Sequence, residues 1–310
     1  MMRAIAMTDF DETPALTEPD VPEPAAGEIR VQVRAASVNG FDLSVAAGRT
    51  KDYMEHRFPL VLGKDFAGEV DAVGPGVTGY AVGDRVFGVV TKPYVGDGSF
   101  AEYVTVPTAV GVAKLPEGVP YTDAAALGLA GTTAHSILDS AQLQPGQTVL
   151  VVGATGGVGT QVVQLAAIAG ATVLATAHTD EERELVTRLG AKTTVDHTAD
   201  LLAQVRETAP TGVDVVVHLA GDLSVVEAVR NGGRFVSTLI MSPEQVPTES
   251  AVVVPIYANP TRAVLDRCAA SYASGNTTVA VKHVYPLDQT LDAIAQFAKG
   301  TLGKIVITTD

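Results

Sequence analysis

The sequence is poor in cysteine, in aromatic residues and in positive charge. Its 310 residues include one cysteine, Cys268, and no tryptophan. A single thiol closes no intramolecular disulfide and supplies no cysteine-rich zinc site. Cys268 falls in a helical stretch expected around residues 262–274, where it reads as a small packed residue. Lys and Arg number 21 against 35 Asp and Glu, a formal net charge of -14, and no basic run stands out. Nucleic acid and anionic membrane surfaces both reward basic patches, so neither is an expected partner. The opening MMRAIAMTDFDETP carries no long apolar segment ahead of its acidic residues. No secretory leader is therefore expected, and a reducing, cytoplasmic location is the default expectation.

One charge-free stretch, residues 148–177, is long enough to suggest a bilayer span. Five glycines, at 153, 156, 157, 159 and 170, interrupt it. Its ends are β-branched and its middle has helical composition, so a buried strand, helix and strand account for it better. No membrane association is expected. What the chain does have is 46% hydrophobic and 18% charged residues, the composition of a globular protein, and enough length for two cores.

The first part reads as mostly β. Residues 28–36 and 68–73 alternate in strand fashion, with turn signals at Gly74-Pro75, Gly83-Asp84 and Asp97-Gly98, and helical periodicity is scarce before Asp123. After Tyr121 strands are expected near 148–153, 172–176, 193–196, 213–218, 233–239 and 251–257. Helices near 157–169, 180–189, 199–208 and 223–230 separate the first five. Strict alternation implies an α/β domain with a doubly wound parallel sheet, and six strands match the full dinucleotide-binding fold. A helix near 260–274, a β segment at 277–284, a helix at 288–299 and a strand at 304–308 close the chain. This tail is expected to return to the first domain.

The chemistry concentrates in Gly153-Ala154-Thr155-Gly156-Gly157-Val158-Gly159. The spacing Ala154-x-Gly156-x-x-Gly159 is the dinucleotide fingerprint with alanine first. The strand-to-helix turn must be tight, Gly156 and Gly157 must let a pyrophosphate approach the backbone, and Gly159 must let helix and strand pack closely. The helix N-terminus then offers free N–H groups and a positive dipole end. An apolar strand before the loop and a second strand at 172–176 supply the confirming context. An NAD site usually holds a carboxylate at the tip of that second strand, but here the tip reads Thr176-Ala177-His178-Thr179. Asp180 reads as a helix cap. A 2′-phosphate would meet no repulsion, while His178, Thr179 and Arg183 offer hydrogen bonds and positive charge, so NADPH is the expected cofactor. Arg183 has an alternative reading as a solvated helix residue paired to nearby glutamates.

The chain resembles the medium-chain dehydrogenase/reductase superfamily, and within it the zinc-free quinone oxidoreductase (zeta-crystallin-like) group. The resemblance spans nearly the whole sequence. It rests on Ala36-Ser37-Val38-Asn39-Gly40-Phe41-Asp42, Leu62-Gly63-Lys64-Asp65-Phe66-Ala67-Gly68, Gly83-Asp84-Arg85-Val86-Phe87-Gly88, Gly98-Ser99-Phe100-Ala101-Glu102-Tyr103, the glycine loop, and Gly303-Lys304-Ile305-Val306-Ile307. It implies a GroES-like β domain from residues 1–122 and 262–310, with a Rossmann domain, residues 123–261, inserted between them. It further implies an active site in the cleft between the domains and a homodimer that pairs the sixth strands, here 251–257.

Zinc-dependent relatives carry a cysteine at the position of Asn39, Gly-His-Glu at Gly63-Lys64-Asp65, and a four-cysteine loop that this sequence lacks. No metal is expected. Without a Lewis acid, hydride delivery suits an acceptor that delocalises its own developing charge, such as a quinone or an α,β-unsaturated carbonyl. By resemblance Asn39 faces the cleft, Thr133 stands beside the nicotinamide, and Tyr53 is a candidate gate or proton donor. Lys64 occupies a zinc-ligand position, where a partly desolvated ammonium stabilises or protonates an enolate. Its alternative is an ordinary ion pair with Asp65 or another acid. Asp42 reads as structural, and Leu239 completes the cofactor-binding candidates. An NADPH-dependent quinone or enone reductase leads. An enoyl reductase of a biosynthetic pathway and a non-catalytic, redox-sensing NADPH-binding protein remain the alternatives.

Overall fold

The computed structural model describes residues 1–309. In chain order β1 (Ala4–Met7), β2 (Ala15–Thr17) and β3 (Glu28–Ser37) lead into a short helix, α1 (Gly40–Ala46). Then come β4 (Glu55–His56), β5 (Leu60–Val61), β6 (Asp65–Val73), β7 (Arg85–Val89), β8 (Tyr94–Val95), β9 (Tyr103–Pro107) and β10 (Val112–Lys114). The long helix α2 (Tyr121–Ala141) precedes an alternating series: β11 (Thr148–Val152), α3 (Gly157–Ile168), β12 (Thr172–Thr176), α4 (Asp180–Arg188), β13 (Thr193–Val195), α5 (Leu201–Thr208), β14 (Val213–His218), β15 (Val229–Ser237) and β16 (Ala251–Pro255). The chain closes with α6 (Arg262–Ala273), β17 (Val281–Pro286), α7 (Thr290–Ala298) and β18 (Lys304–Thr308).

Contacts divide the chain into two compact units. The first comprises Met1–Leu129, Pro260–Ser274 and Val281–Asp310; the second comprises Ala130–Asn259 and Gly275–Ala280. In the first unit the main path runs β10-β7-β6-β3-β18-β17, with β9 also paired to β3. Along β3, Ile29, Val31 and Val33 are buried at every second position, the period of a strand with one face in the core. From Ala35 to Ser37 every residue is buried, so both faces are covered there. Phe66, Phe100, Ile305 and Ile307 join that core, which puts the tail strand β18 at its centre.

The second unit is the expected α/β domain. Its sheet order is β13-β12-β11-β14-β15-β16, all parallel, which is the two-halved dinucleotide-binding order. Four of the five residues of β11 are buried, because a parallel sheet is covered on both faces. Among the described residues no helix is long and apolar enough to cross a membrane.

Several expected elements differ. The helix expected near 223–230 is one short 3₁₀ stretch, Leu223–Ala228, and β15 begins at the next residue. Val225 and Ala228 are buried but give no longer apolar stripe on which an α-helix could pack. The β segment expected at 277–284 forms at Val281–Pro286, where it gains β18 as partner. Leu239 lies beyond the end of β15, and β16 stops at Pro255. Helix α1 falls in the stretch read as β; Asp42 stabilises its start by accepting from the Asn39 backbone N–H at 2.8 Å.

Candidate functional site

Two groups of side chains carry chemistry, one in each unit. In the second unit β11 ends at Val152, and Gly153 turns the chain with φ +84°, a conformation that favours glycine. A Cβ on Gly159 would lie 2.1 Å from the Gly153 carbonyl oxygen, so the close helix–strand contact requires glycine there. A Cβ on Gly156 would meet only the Gly153 oxygen, at 3.6 Å, so the outer face of the turn is open. Gly156 caps α3 without a side-chain hydrogen bond, and the first turn of α3 holds no acidic residue. An open cradle, uncapped amides and a helix dipole without a competing carboxylate fit a pyrophosphate. Thr155 lies in this turn, and Val158 lies in the first turn of α3.

Thr176, at the end of β12, was not singled out by the sequence. Its hydroxyl accepts from Gly153 N at 2.9 Å and from Ala154 N at 3.4 Å, tying the loop to the neighbouring strand. His218, which ends β14 and pairs in register with Val152, is buried beside the loop. Its Nδ1 is 3.0 Å from Ser237 Oγ, and burial pushes its pKa below the ordinary imidazole value. Thr133 is buried on α2. Leu239 is 53% exposed, with its N–H donating to Ser237 Oγ.

The strand tip beyond β12 corrects three readings. Thr179, not Asp180, caps α4: its hydroxyl accepts from Glu182 N, and the Glu182 carboxylate accepts from His178 N and Thr179 N. Arg183 pairs with aspartates rather than glutamates, Asp180 at 3.1 Å and Asp196 at 3.6 Å. A carboxylate does stand at the tip, supplied by the adjacent strand: Asp196, one residue past β13, lies 3.0 Å from His178 Nδ1. A spacing rule confined to the second strand has no access to a residue brought in by the third.

In the first unit a buried polar cluster surrounds Asp65. Its Oδ2 accepts from Ser37 Oγ at 2.6 Å and Asn39 Nδ2 at 2.9 Å, and its Oδ1 accepts from Leu129 N at 2.7 Å. A Cβ on Gly128 would sit 2.6 Å from Asp65 Oδ1, so a glycine there lets α2 approach the carboxylate. Lys304 supplies the cation. Its Nζ donates to Asn39 Oδ1 at 2.6 Å and Val38 O at 3.0 Å, and it lies 3.4 Å from Asp65 Oδ2. Asn39 Nδ2 also donates to Ser37 O, so its carboxamide is engaged at both ends. Burial lowers the Lys304 pKa, opposed by Asp65 and Asp42, while burial raises that of Asp42 to about 7.

Lys64 therefore does not pair with Asp65. Its Nζ donates to the Val90 carbonyl at 2.8 Å and lies 4.9 Å from the Phe41 ring centroid. Burial lowers its pKa, with Asp42 and Asp65 pulling the other way. Lys64 and Asp42 line a cleft within the first unit together with Phe41, Val45, Leu62 and Tyr94; its empty space, solvent at the mouth included, is about 290 Å³. Tyr53 is 66% exposed and does not line it. Cys268 is buried on α6, and burial pushes its thiol up to about 12. Among the described residues no group of three or more His, Cys, Asp or Glu is placed to hold a metal ion.

Known proteins agree with this architecture. Residues 25–117 match the family described as "Alcohol dehydrogenase GroES-like domain", and residues 157–256 match "Zinc-binding dehydrogenase". An NAD-dependent alcohol dehydrogenase of Saccharolobus solfataricus is 32% identical over 76% of this chain and 77% of its own. A mycocerosic acid synthase-like polyketide synthase of Mycobacterium tuberculosis is 36% identical over 76% of this chain, which spans only 11% of that protein's length. The structure of a quinone oxidoreductase from Coxiella burnetii superposes with a TM-score of 0.90 at 25% identity, covering 100% of this chain and 99% of that one. A mycobacterial protein solved in complex with NADPH superposes at 0.85 with 29% identity, over 99% and 100% of the two chains. The chain belongs to the medium-chain dehydrogenase/reductase superfamily and has its two components, a GroES-like β domain and a six-stranded Rossmann domain. Within that family its architecture is similar to that of the quinone oxidoreductase named above.

Proposed function

We propose that this protein is a zinc-independent, NADPH-dependent reductase of quinones or α,β-unsaturated carbonyls. The observation that carries the reading is Lys64, a partly buried ammonium that lines a cleft of mixed polar and apolar character and is held by a carbonyl rather than a carboxylate. An ammonium has three hydrogens, and Val90 O takes one. The others serve an acceptor's carbonyl oxygen, where they stabilise negative charge as it develops and then supply a proton. Bound NADPH supplies the hydride. The open loop around Gly156 and the amides of α3 support its pyrophosphate, and His178 and Arg183 support a 2′-phosphate. Asn39 and Lys304 fix Asp65 and the start of α1, and so act as positioning residues for the cleft. Of the two, the Lys64 ammonium suits hydrogen bonding to an oxygen, since the Asn39 carboxamide is taken up by Ser37, Asp65 and Lys304; neither residue is a thiolate or an imidazole.

The test is oxidation of NADPH by a panel of quinones and enals, with metal analysis of the purified chain. Turnover without zinc is expected. Stoichiometric zinc, or turnover that a chelator abolishes, overturns zinc independence. Lys64→Met is expected to lower kcat for enone reduction by about a hundredfold, the scale of a general acid, with NADPH affinity retained. An unchanged rate removes Lys64 from the reaction. The polyketide synthase likeness favours a second reading, reduction of an α,β-unsaturated thioester. Activity on such thioesters with none on quinones would select it. Cofactor binding with no turnover on either panel would mark a non-catalytic protein. The resemblance also supports a homodimer through β16.

A further inference from the structure

The dinucleotide reading leaves open which residue decides between NADPH and NADH, and the similar proteins point both ways, one NAD-dependent and one solved with NADPH. The tip of β12 has no carboxylate of its own, but three stand around it. Glu182 takes up the amides of His178 and Thr179, and Asp180 pairs with Arg183. Of the three, Asp196 meets both basic side chains, His178 and Arg183. It meets His178 Nδ1 at 3.0 Å and Arg183 at 3.6 Å, and it accepts from Thr198 N at 2.9 Å and Thr198 Oγ1 at 2.7 Å. His197, the next residue along, sets its ring edge-on to His178 with centroids 6.0 Å apart. The hydrogen bonds from Thr198 hold the Asp196 carboxyl well below the usual carboxylate range, so it stays ionised at neutral pH.

We propose that Asp196, reaching the site from the third strand, is the residue that sets cofactor choice, because it engages the two basic side chains a 2′-phosphate would use. This rests on the dinucleotide-binding reading. A 2′-phosphate brings further negative charge and must draw His178 and Arg183 away from Asp196. A ribose 2′-hydroxyl carries no charge and needs no such exchange. Asp196 therefore limits the preference for NADPH, and neutralising it frees both basic groups for phosphate.

The experiment is calorimetric titration of the full chain with 2′,5′-ADP and with 5′-AMP. In Asp196→Asn the amide oxygen still accepts from Thr198 N, so the turn is kept; thermal unfolding checks this. The variant is expected to bind 2′,5′-ADP about tenfold more tightly while 5′-AMP binding moves less than about twofold. The gain should shrink at high salt, as a charge effect at a half-exposed site must. Adding Arg183→Gln to that variant should remove most of the gain. Equal changes for both ligands, or none, overturn the assignment to Asp196 while leaving the cofactor site intact. Absence of binding by either ligand to the unaltered protein overturns the dinucleotide reading and this inference with it.

Discussion

At the scale of single residues the first unit depends on Lys304. Its ammonium is the cation among Val38 O, Asn39 Oδ1 and Asp65 Oδ2, with the side chain only 4% exposed. Removing one partner of a buried ion pair leaves the other charge unpaired, which costs about 3–5 kcal/mol. Lys304→Met is expected to lose stability on that scale in denaturant unfolding; a loss under about 1 kcal/mol would mean that Asp65 is already satisfied by Ser37, Asn39 and Leu129. Asp42 gives a pH signature. Its carboxyl rises from 3.8 to about 7 on folding, so the folded state binds the proton more tightly. Its contribution is fully present below pH 4 and is lost as the pH climbs to about 7. Relative to Asp42→Asn, the unaltered protein should therefore lose stability across that window and run parallel above it. Parallel curves throughout would show that Asp42 does not titrate there.

At the scale of elements the cofactor loop depends on its neighbour. Gly153 N has the Thr176 hydroxyl as acceptor, and Thr176→Val removes it without changing the strand's shape. A fully buried donor without a partner costs about 1–3 kcal/mol, and for the partly buried Gly153 N–H the lower end, about 1 kcal/mol, applies. The expected result is a loss of that size in unfolding free energy with weakened 2′,5′-ADP binding; unaltered binding would show that the loop holds its form without β12. The same elements show what was legible in sequence. The run of β11, the loop glycines and β12 could be read directly, because β-branched residues and a close-approach glycine each answer a local constraint. The tail strand at Lys304–Thr308 was legible as a motif, yet its role was not. Lys304 meets Asn39 and Asp65 from more than two hundred residues away, and no local pattern encodes that meeting. Asp196 escaped for the same reason, since it reaches His178 across a strand boundary. Helix α1 was missed because seven residues give too short a stripe to reveal a helical period.

At the scale of the whole molecule, the question is what meets the outer edge of the six-stranded sheet. The sheet ends at β16, whose outer N–H and C=O groups form a row that natural proteins cover or protect. Around it Val252 is 50% exposed, Leu239 53%, Tyr257 56% and Met241 64%. Val252 lies on β16 itself, and just beyond the strand the Tyr257 hydroxyl donates to the Met241 carbonyl at 2.7 Å. A second copy pairing β16 antiparallel with β16 would satisfy both rows at once by two-fold symmetry. The net charge of -14 opposes that approach, because two copies repel at long range. In such a dimer the strand edge supplies the attraction, and screening the repulsion should strengthen it. The unaltered protein is expected to sediment as a dimer that tightens between low and moderate salt. Val252→Asp adds a carboxylate beside its symmetry mate and should give a folded monomer, with helix and strand content unchanged by circular dichroism. A variant that stays dimeric would place the contact elsewhere, and an unaltered protein that is monomeric at tens of micromolar would leave β16 as an exposed edge.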